Sequence, residues 1–173
     1  MRRRLRQPPR IKVLEAAGAL GDGRVSVSRV GGGLWRGTVT SSDGSRTYRV
    51  AVRSRGPGLV EAYSDDNGTR LRGYVGYPII AAMMLAGLLP RSPGLEEALR
   101  GIPWKRLNEK YKKYSIVMDI ALRTAEERGY PRSEALAFVD RVMRRLRETT
   151  VLYSPGLVEG GSDPAERPPP REG

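Results

Sequence analysis

Arginine recurs at alternate positions between residues 24 and 74, and the residue types there suit phosphate binding. Two-residue alternation gathers Arg24, Ser26, Ser28, Arg36, Thr38, Arg49, Arg53, Arg70, Arg72 and Tyr74 on one side of the extended segments. Guanidinium groups hold phosphates in bidentate fashion, and a tyrosine among them gives a base something to stack on. A second cluster, Trp104-Lys105-Arg106-Leu107-Asn108-Glu109-Lys110-Tyr111-Lys112-Lys113-Tyr114, interleaves aromatics with cations. On a helix, Trp104, Leu107, Tyr111 and Tyr114 form one stripe at 3-4-3 spacing, a pattern that suits a core, with tyrosine hydroxyls reaching the surface. Lys105, Lys110, Lys112 and Lys113 are that helix's phosphate candidates. Both clusters have a plain counterpart, a solvated polar face.

Bond-making chemistry has fewer candidates. The chain has no His and no Cys, which excludes Ser-His-Asp and Cys-His catalysis, imidazole acid–base chemistry and zinc sites built from those residues. A disulfide framework is excluded too. Asp65 and Asp66, with Asp43 or Glu61, are the one set that could hold Mg²⁺ for phosphodiester cleavage. Asp65-Asp66-Asn67-Gly68 is, however, good turn chemistry first. Gly31-Gly32-Gly33 lacks the lysine and helix of a phosphate loop. The expectation is a binding protein and not an enzyme, with no cofactor and no metal.

Charge points the same way. Thirty-one Lys and Arg face nineteen Asp and Glu, for a net +12. The first ten residues carry +5 and residues 154–173 carry −2, which leaves +9 on residues 11–153. A field of that sign on a folded body attracts polyanions, nucleic acid foremost. One Gln and two Asn make a low amide count, as in proteins selected against thermolabile residues.

Residues 1–10 read as a disordered basic arm, and 154–173, with Pro168-Pro169-Pro170, as a disordered tail. Between them lies one domain. A short helix over 11–20 precedes alternating runs at 24–28, 34–40, 47–53, 59–64 and 69–75, joined by Gly-containing turns that favour antiparallel hairpins. Val25, Val27, Trp35, Val39, Tyr48, Val50, Val52, Leu71 and Val75 form the apolar side of those runs. Helices then follow at 79–88, 95–100, 103–114, 116–128 and 132–149. Strands followed by helices imply an α+β fold: a small antiparallel sheet of four to five strands, helices on one face, and a C-terminal amphipathic helix. The apolar run 79–89 is too short to span a bilayer, so a soluble, cytoplasmic protein without membrane partners is expected.

Arg72-Gly73-Tyr74-Val75-Gly76-Tyr77-Pro78-Ile79-Ile80-Ala81, followed by Gly101-Ile102-Pro103-Trp104-Lys105-Arg106-Leu107-Asn108-Glu109-Lys110-Tyr111-Lys112, resembles the archaeal ThermoDBP-related proteins, single-stranded DNA-binding proteins of thermophiles. The resemblance covers about residues 70–125. It implies a small sheet packed on helices, a cleft that takes single strands, and a dimerising C-terminal helix. No contact residue transfers from it by position. Independently, Leu136, Val139, Met143 and Leu146 follow 3-4-3 spacing over 132–150, as an a/d seam does. The same pattern serves a helix packed on its own domain. A homodimer or larger even-numbered oligomer is expected.

Together these features predict sequence-tolerant binding of single-stranded nucleic acid, DNA favoured, through Arg24, Arg36, Arg49, Arg53, Arg70, Arg72, Tyr74, Trp104, Lys105, Lys110, Lys112 and Lys113. An RNA-binding or ribosome-associated protein, a duplex-binding regulator, a Mg²⁺ nuclease and a structural subunit are the alternatives.

Overall fold

The computed structural model describes residues 2–159. Helix α1 (Ile11–Gly21) leads into strands β1 (Val25–Gly31), β2 (Leu34–Thr40), β3 (Thr47–Gly56) and β4 (Leu59–Ser64), an antiparallel meander. Six helices follow: α2 (Asn67–Arg70), α3 (Tyr77–Leu85), α4 (Pro93–Ala98), α5 (Trp104–Tyr111), α6 (Tyr114–Glu127) and α7 (Arg132–Arg147). The chain returns as β5 (Thr150–Tyr153) and ends its described part in one turn, α8 (Gly156–Glu159). β5 runs parallel to β4, so the sheet, ordered β1-β2-β3-β4-β5, is mixed. The class is α+β. Thr150 and Tyr153, which extend the helical spacing in sequence, are strand residues because Thr-Val-Leu-Tyr fits a pleated, half-buried surface better than a helix end.

The core lies between the sheet and α1, α3, α6 and α7. Pro78 sits in the first turn of α3, and Ile79, Ile80, Ala81, Ala82, Met83 and Met84 are all buried, as a helix apolar on every side requires. Val39, Val50, Val52 and Ala62 meet them from the sheet, while Val25, Val27 and Trp35 pack against its margin. The alternation therefore has the expected phase over β1 to β3.

The far face of the sheet is not the open arginine wall that phase implies. Leu34, Ala51 and Leu157 form a second small cluster there, with Val158 against it, so α8 covers part of that face. Arg53 is only 7% exposed, and the Arg36 guanidinium donates to the Leu157 carbonyl at 3.3 Å. Residues 154–159 are thus a packed segment, tied down by the Ser154 amide on the Ala62 carbonyl at 2.8 Å. The proline run beyond them lies outside the described residues.

Three further expectations need correction. Residues 69–75 are not a strand: the Asp66 carboxylate accepts from the Thr69 amide at 3.2 Å and caps α2. Leu71 is consequently 72% exposed instead of buried, and Tyr74 is 8% exposed instead of open. The seam on α7 is used within its own domain. Val139, Met143 and Leu146 are buried there beside Phe138 and Val142, with Leu136 packed partly buried against them, because α7 lies on α1 and α6. Val139, Met143 and Leu146 are thus already used within the domain.

Nor is the basic arm disordered. Its backbone fills positions beside β5 and the 73–75 loop: the Leu5 amide donates to Val151, Arg6 to Gly73 and Tyr153 to Arg3, each at 2.8 Å. Leu5, the one aliphatic residue among these arginines, is 2% exposed and belongs to the main core. Arg2 pairs with Glu61, and Arg3 lies over the Tyr153 ring at 4.7 Å. The arm covers one sheet edge, where unpaired amides and carbonyls otherwise invite association. Among the described residues no helix is long and apolar enough to cross a membrane.

A docked arm makes Leu5 a core residue. Leu5→Ala is expected to destabilise the protein by about 2–5 kcal/mol, the usual cost of emptying a buried leucine site. Chemical denaturation measures it, and a loss below about 0.5 kcal/mol, typical of surface positions, would show the arm undocked.

Candidate functional site

Helix α1 carries two charges, Lys12 and Glu15, in an otherwise apolar sequence, and both face one side. Lys12 Nζ donates to Glu15 Oε2 at 2.8 Å, and Glu15 is buried. The other carboxylate oxygen accepts from Asn108 Nδ2 of α5 at 2.6 Å. Burial alone would lower the Lys12 ammonium, but the Glu15 carboxylate, with smaller contributions from Tyr74 and Tyr114, holds it above its ordinary value. A buried pair with each partner hydrogen-bonded is tolerated where an isolated charge is not.

This pair sits at the wall of a cavity of about 410 Å³ that α1 and six other parts of the fold line. Arg24 immediately precedes β1, Ser41 and Ser42 come from the β2–β3 turn, and Tyr48 from β3. Asn67 and Arg72 come from α2 and the loop after it, and Tyr77 from α3. Trp104, Lys105, Asn108, Glu109 and Lys112 come from α5 and its C-terminal cap. Tyr48 and Tyr77 meet edge to face, ring centres 6.3 Å apart at 88°. Trp104 is 4% exposed and lies against α1 at Gly18, where a Cβ would stand 2.6 Å from Nε1. The indole is a wall of the cavity, not an open platform.

Local bonds hold the rim. The Lys105 amide donates to Ser42 Oγ at 2.9 Å, and Lys105 Nζ reaches Ser45 and, at 3.5 Å, Asp43. Bonds from Ser45 and Ser41 hold the Asp43 carboxyl well below the usual carboxylate range. Arg24 Nε donates to Asp22 at 3.0 Å and Nη1 to the Thr40 carbonyl at 2.7 Å. Burial pushes the Tyr77 hydroxyl up, and burial with the Asp66 charge does the same to Tyr48. Lys112 is the only described non-glycine residue at positive φ, 51°, where it caps α5. A lysine there carries a backbone strain that glycine would not.

Of the sequence-derived binding residues, Arg24, Arg72, Trp104, Lys105 and Lys112 converge on this cavity. Arg70, Lys110 and Lys113 are exposed on its flanking segments. Arg36 and Arg53 lie at the covered sheet face. Arg49 is exposed, with its amide and guanidinium on Asp65. Tyr74 is turned inward against Gly68, its hydroxyl raised by burial and by a hydrogen bond with Tyr114. Asp65 and Asp66 serve Arg49 and the α2 cap respectively, and among the described residues no group of three His, Cys, Asp or Glu is placed to hold a metal ion. Sequence reasoning missed Lys12, Glu15, Tyr48, Tyr77 and Asn108. Lys12 and Glu15 had a signal, two charges spaced i and i+3 on an apolar helix.

A family model of uncharacterised conserved proteins, UCP014422, matches residues 5–152. The chain belongs to that family. The match spans the docked arm from Leu5, the whole cavity and most of β5. No curated protein and no solved structure matches.

Two outcomes follow from this geometry. Glu15→Gln leaves Lys12 buried without its counter-charge and is expected to cost about 3–5 kcal/mol. Lys12, Tyr48 and Tyr77 all have raised proton affinity in the fold, so their stabilisation is complete below their unfolded values of about 10–10.4 and declines as pH rises beyond them. Denaturation midpoints at pH 8 and above pH 10 measure both, and stability that rose across that interval would contradict the assignment. Separately, Lys112→Gly is expected to stabilise the fold by up to about 1 kcal/mol, since relief of the left-handed conformation, about 1–2 kcal/mol, outweighs the extra backbone entropy that glycine loses, roughly 0.5–1 kcal/mol. A destabilised variant in the same assay would show that the lysine side chain contributes packing there.

Proposed function

We propose that the protein binds single-stranded nucleic acid, DNA being the first ligand to test, and that the strand enters the cleft between α1, β3 and α5. The observation that carries this reading is the convergence of Arg24, Arg72, Lys105 and Lys112 around Tyr48 and Tyr77. Cations neutralise the backbone, and aromatic rings give an unstacked base an apolar face. The lining residues count five cations, with Lys12, against the carboxylates of Glu15 and Glu109. The net +12 of the chain extends that field beyond the cavity and favours encounter with a polyanion.

A concave, aromatic-walled site suits a strand whose bases are free and not a duplex, whose bases are stacked and paired. The resemblance to the ThermoDBP-related proteins supports the same reading, although the sheet-face arginines no longer form its surface. Arg24 and Lys105 are bound to neighbouring protein groups, so Arg72 and Lys112 are the cations most available to phosphate.

Fluorescence anisotropy of labelled dT and rU oligomers and a matched duplex, at two salt concentrations, tests the proposal. Single strands are expected to bind more tightly than duplex, with a log–log salt slope of about −0.7 per phosphate contacted. Arg72→Ala and Lys112→Ala should each make the slope shallower by roughly that one-contact value, while Arg49→Ala on the sheet's far side leaves it unchanged. A slope altered by Arg49→Ala but by neither cleft variant would put the ligand on the sheet face.

A further inference from the structure

Among the described residues four large hydrophobic side chains stand exposed, and three of them border the mouth of the cleft. Leu71, 72% exposed, precedes Arg72, and Tyr111, 37% exposed, precedes Lys112. Ile116, 39% exposed, lies in the first turn of α6. Arg72 and Lys112 both line the cavity, and a hydrogen bond between Tyr74 and Tyr114 ties their two segments together. An apolar side chain exposed singly needs no explanation, but several beside one cavity call for a partner. Residues 70–73 and 109–116 also carry five cations, Arg70, Arg72, Lys110, Lys112 and Lys113, against one carboxylate, Glu109. Among the described residues none of the five forms an ion pair. Lys110 Nζ stands 5.2 Å from the centre of the Tyr111 ring.

A polyanion with apolar faces answers that mixture. Single-stranded nucleic acid is one: its phosphates take the cations and its unpaired bases take the apolar groups, whereas a duplex keeps its bases stacked inside. A second copy of this chain answers less well, because a twofold contact through this surface sets five cations against five. We infer that the mouth of the cleft is a ledge on which bases of a bound single strand stack, with Tyr111 as the stacking ring and Leu71 and Ile116 as apolar contacts beside it. This rests on the proposed strand binding and deepens it. The cavity, at about 410 Å³, is on the scale of a small-molecule site, so a longer strand runs out across the mouth. The Lys110 ammonium beside the ring gives the phosphate of a stacked nucleotide a partner there. Every base has a π face, so the ledge adds affinity without selecting a sequence.

Anisotropy of a labelled dT oligomer and of an abasic strand of equal length, which keeps the phosphates and lacks the bases, tests this on the full chain. The wild-type protein should bind the dT strand more tightly. Tyr111→Ala should weaken dT binding about 5- to 150-fold, the usual loss for one stacked base. It should leave abasic binding and the salt slope unchanged, because stacking releases no counterion. Tyr111→Phe should keep the wild-type affinity. Leu71→Ser and Ile116→Ser should show smaller losses, again on the dT strand only. These three side chains are exposed, so denaturation midpoints should hold in every variant. No loss with Tyr111→Ala, or an equal loss on both strands, would overturn the ledge, while wild-type binding of dT would leave the cleft proposal standing. A drop in molar mass by light scattering in Leu71→Ser or Tyr111→Ala, without nucleic acid, would give the surface to a second copy and overturn the ledge as well. If the wild-type chain binds neither strand, both proposals fall.

Discussion

The buried ion pair of Lys12 and Glu15 is the constraint around which the cleft is arranged. A carboxylate taken out of water needs its charge matched and both oxygens hydrogen-bonded, or the helix that carries it does not pack. Lys12 supplies the charge from one turn earlier on α1, and Asn108 supplies the second bond from α5. That bond joins α1 to a short helix that is also held by Trp104 against Gly18, by the Lys105 contacts with Ser42, Ser45 and Asp43, and by its packing on α6. It also settles which way the Asn108 amide faces. A structural requirement in the core thereby sets the polarity of the cavity above it.

The sequence was legible where one pattern served one purpose. Alternation in β1 to β3 placed Val39, Val50 and Val52 inward correctly, and the all-apolar run after Pro78 marked the central helix. It misled where a partner from elsewhere in the chain decided the outcome. The outward phase of Arg36 and Arg53 was right, yet Leu157, more than a hundred residues away, packs on that face. The 3-4-3 spacing on α7 is the same for a dimer seam and for a helix lying on its own core, and only the tertiary contacts tell them apart. Leu5 is a single aliphatic residue in a basic segment, too little for any periodicity to register, but enough to anchor the arm once β5 offers an edge.

The same logic explains the candidate site. Trp104, Lys105 and Lys112 were visible as an aromatic-basic helix, and Arg24 and Arg72 as members of an arginine set. What alternation cannot show is that these two groups meet. Arg72 reaches the cleft because residues 69–75 leave the sheet after the Asp66 cap, and Arg24 because it lies at a strand end, bound to Asp22 and Thr40. Tyr48 and Tyr77 are far apart in sequence, and their edge-to-face contact exists only after the fold closes. Lys112 carries a detectable cost, a left-handed backbone without glycine, and that cost falls at the cavity mouth.

The central claim is that ligand contacts fall in this cleft and not on the sheet's far face. Photocrosslinking of a bromodeoxyuridine-substituted single strand to the full chain, followed by peptide mapping, tests it most directly. The account predicts adducts within residues 41–48, 72–77 and 104–112. Adducts confined to residues 26–38 and 49–53 would contradict it.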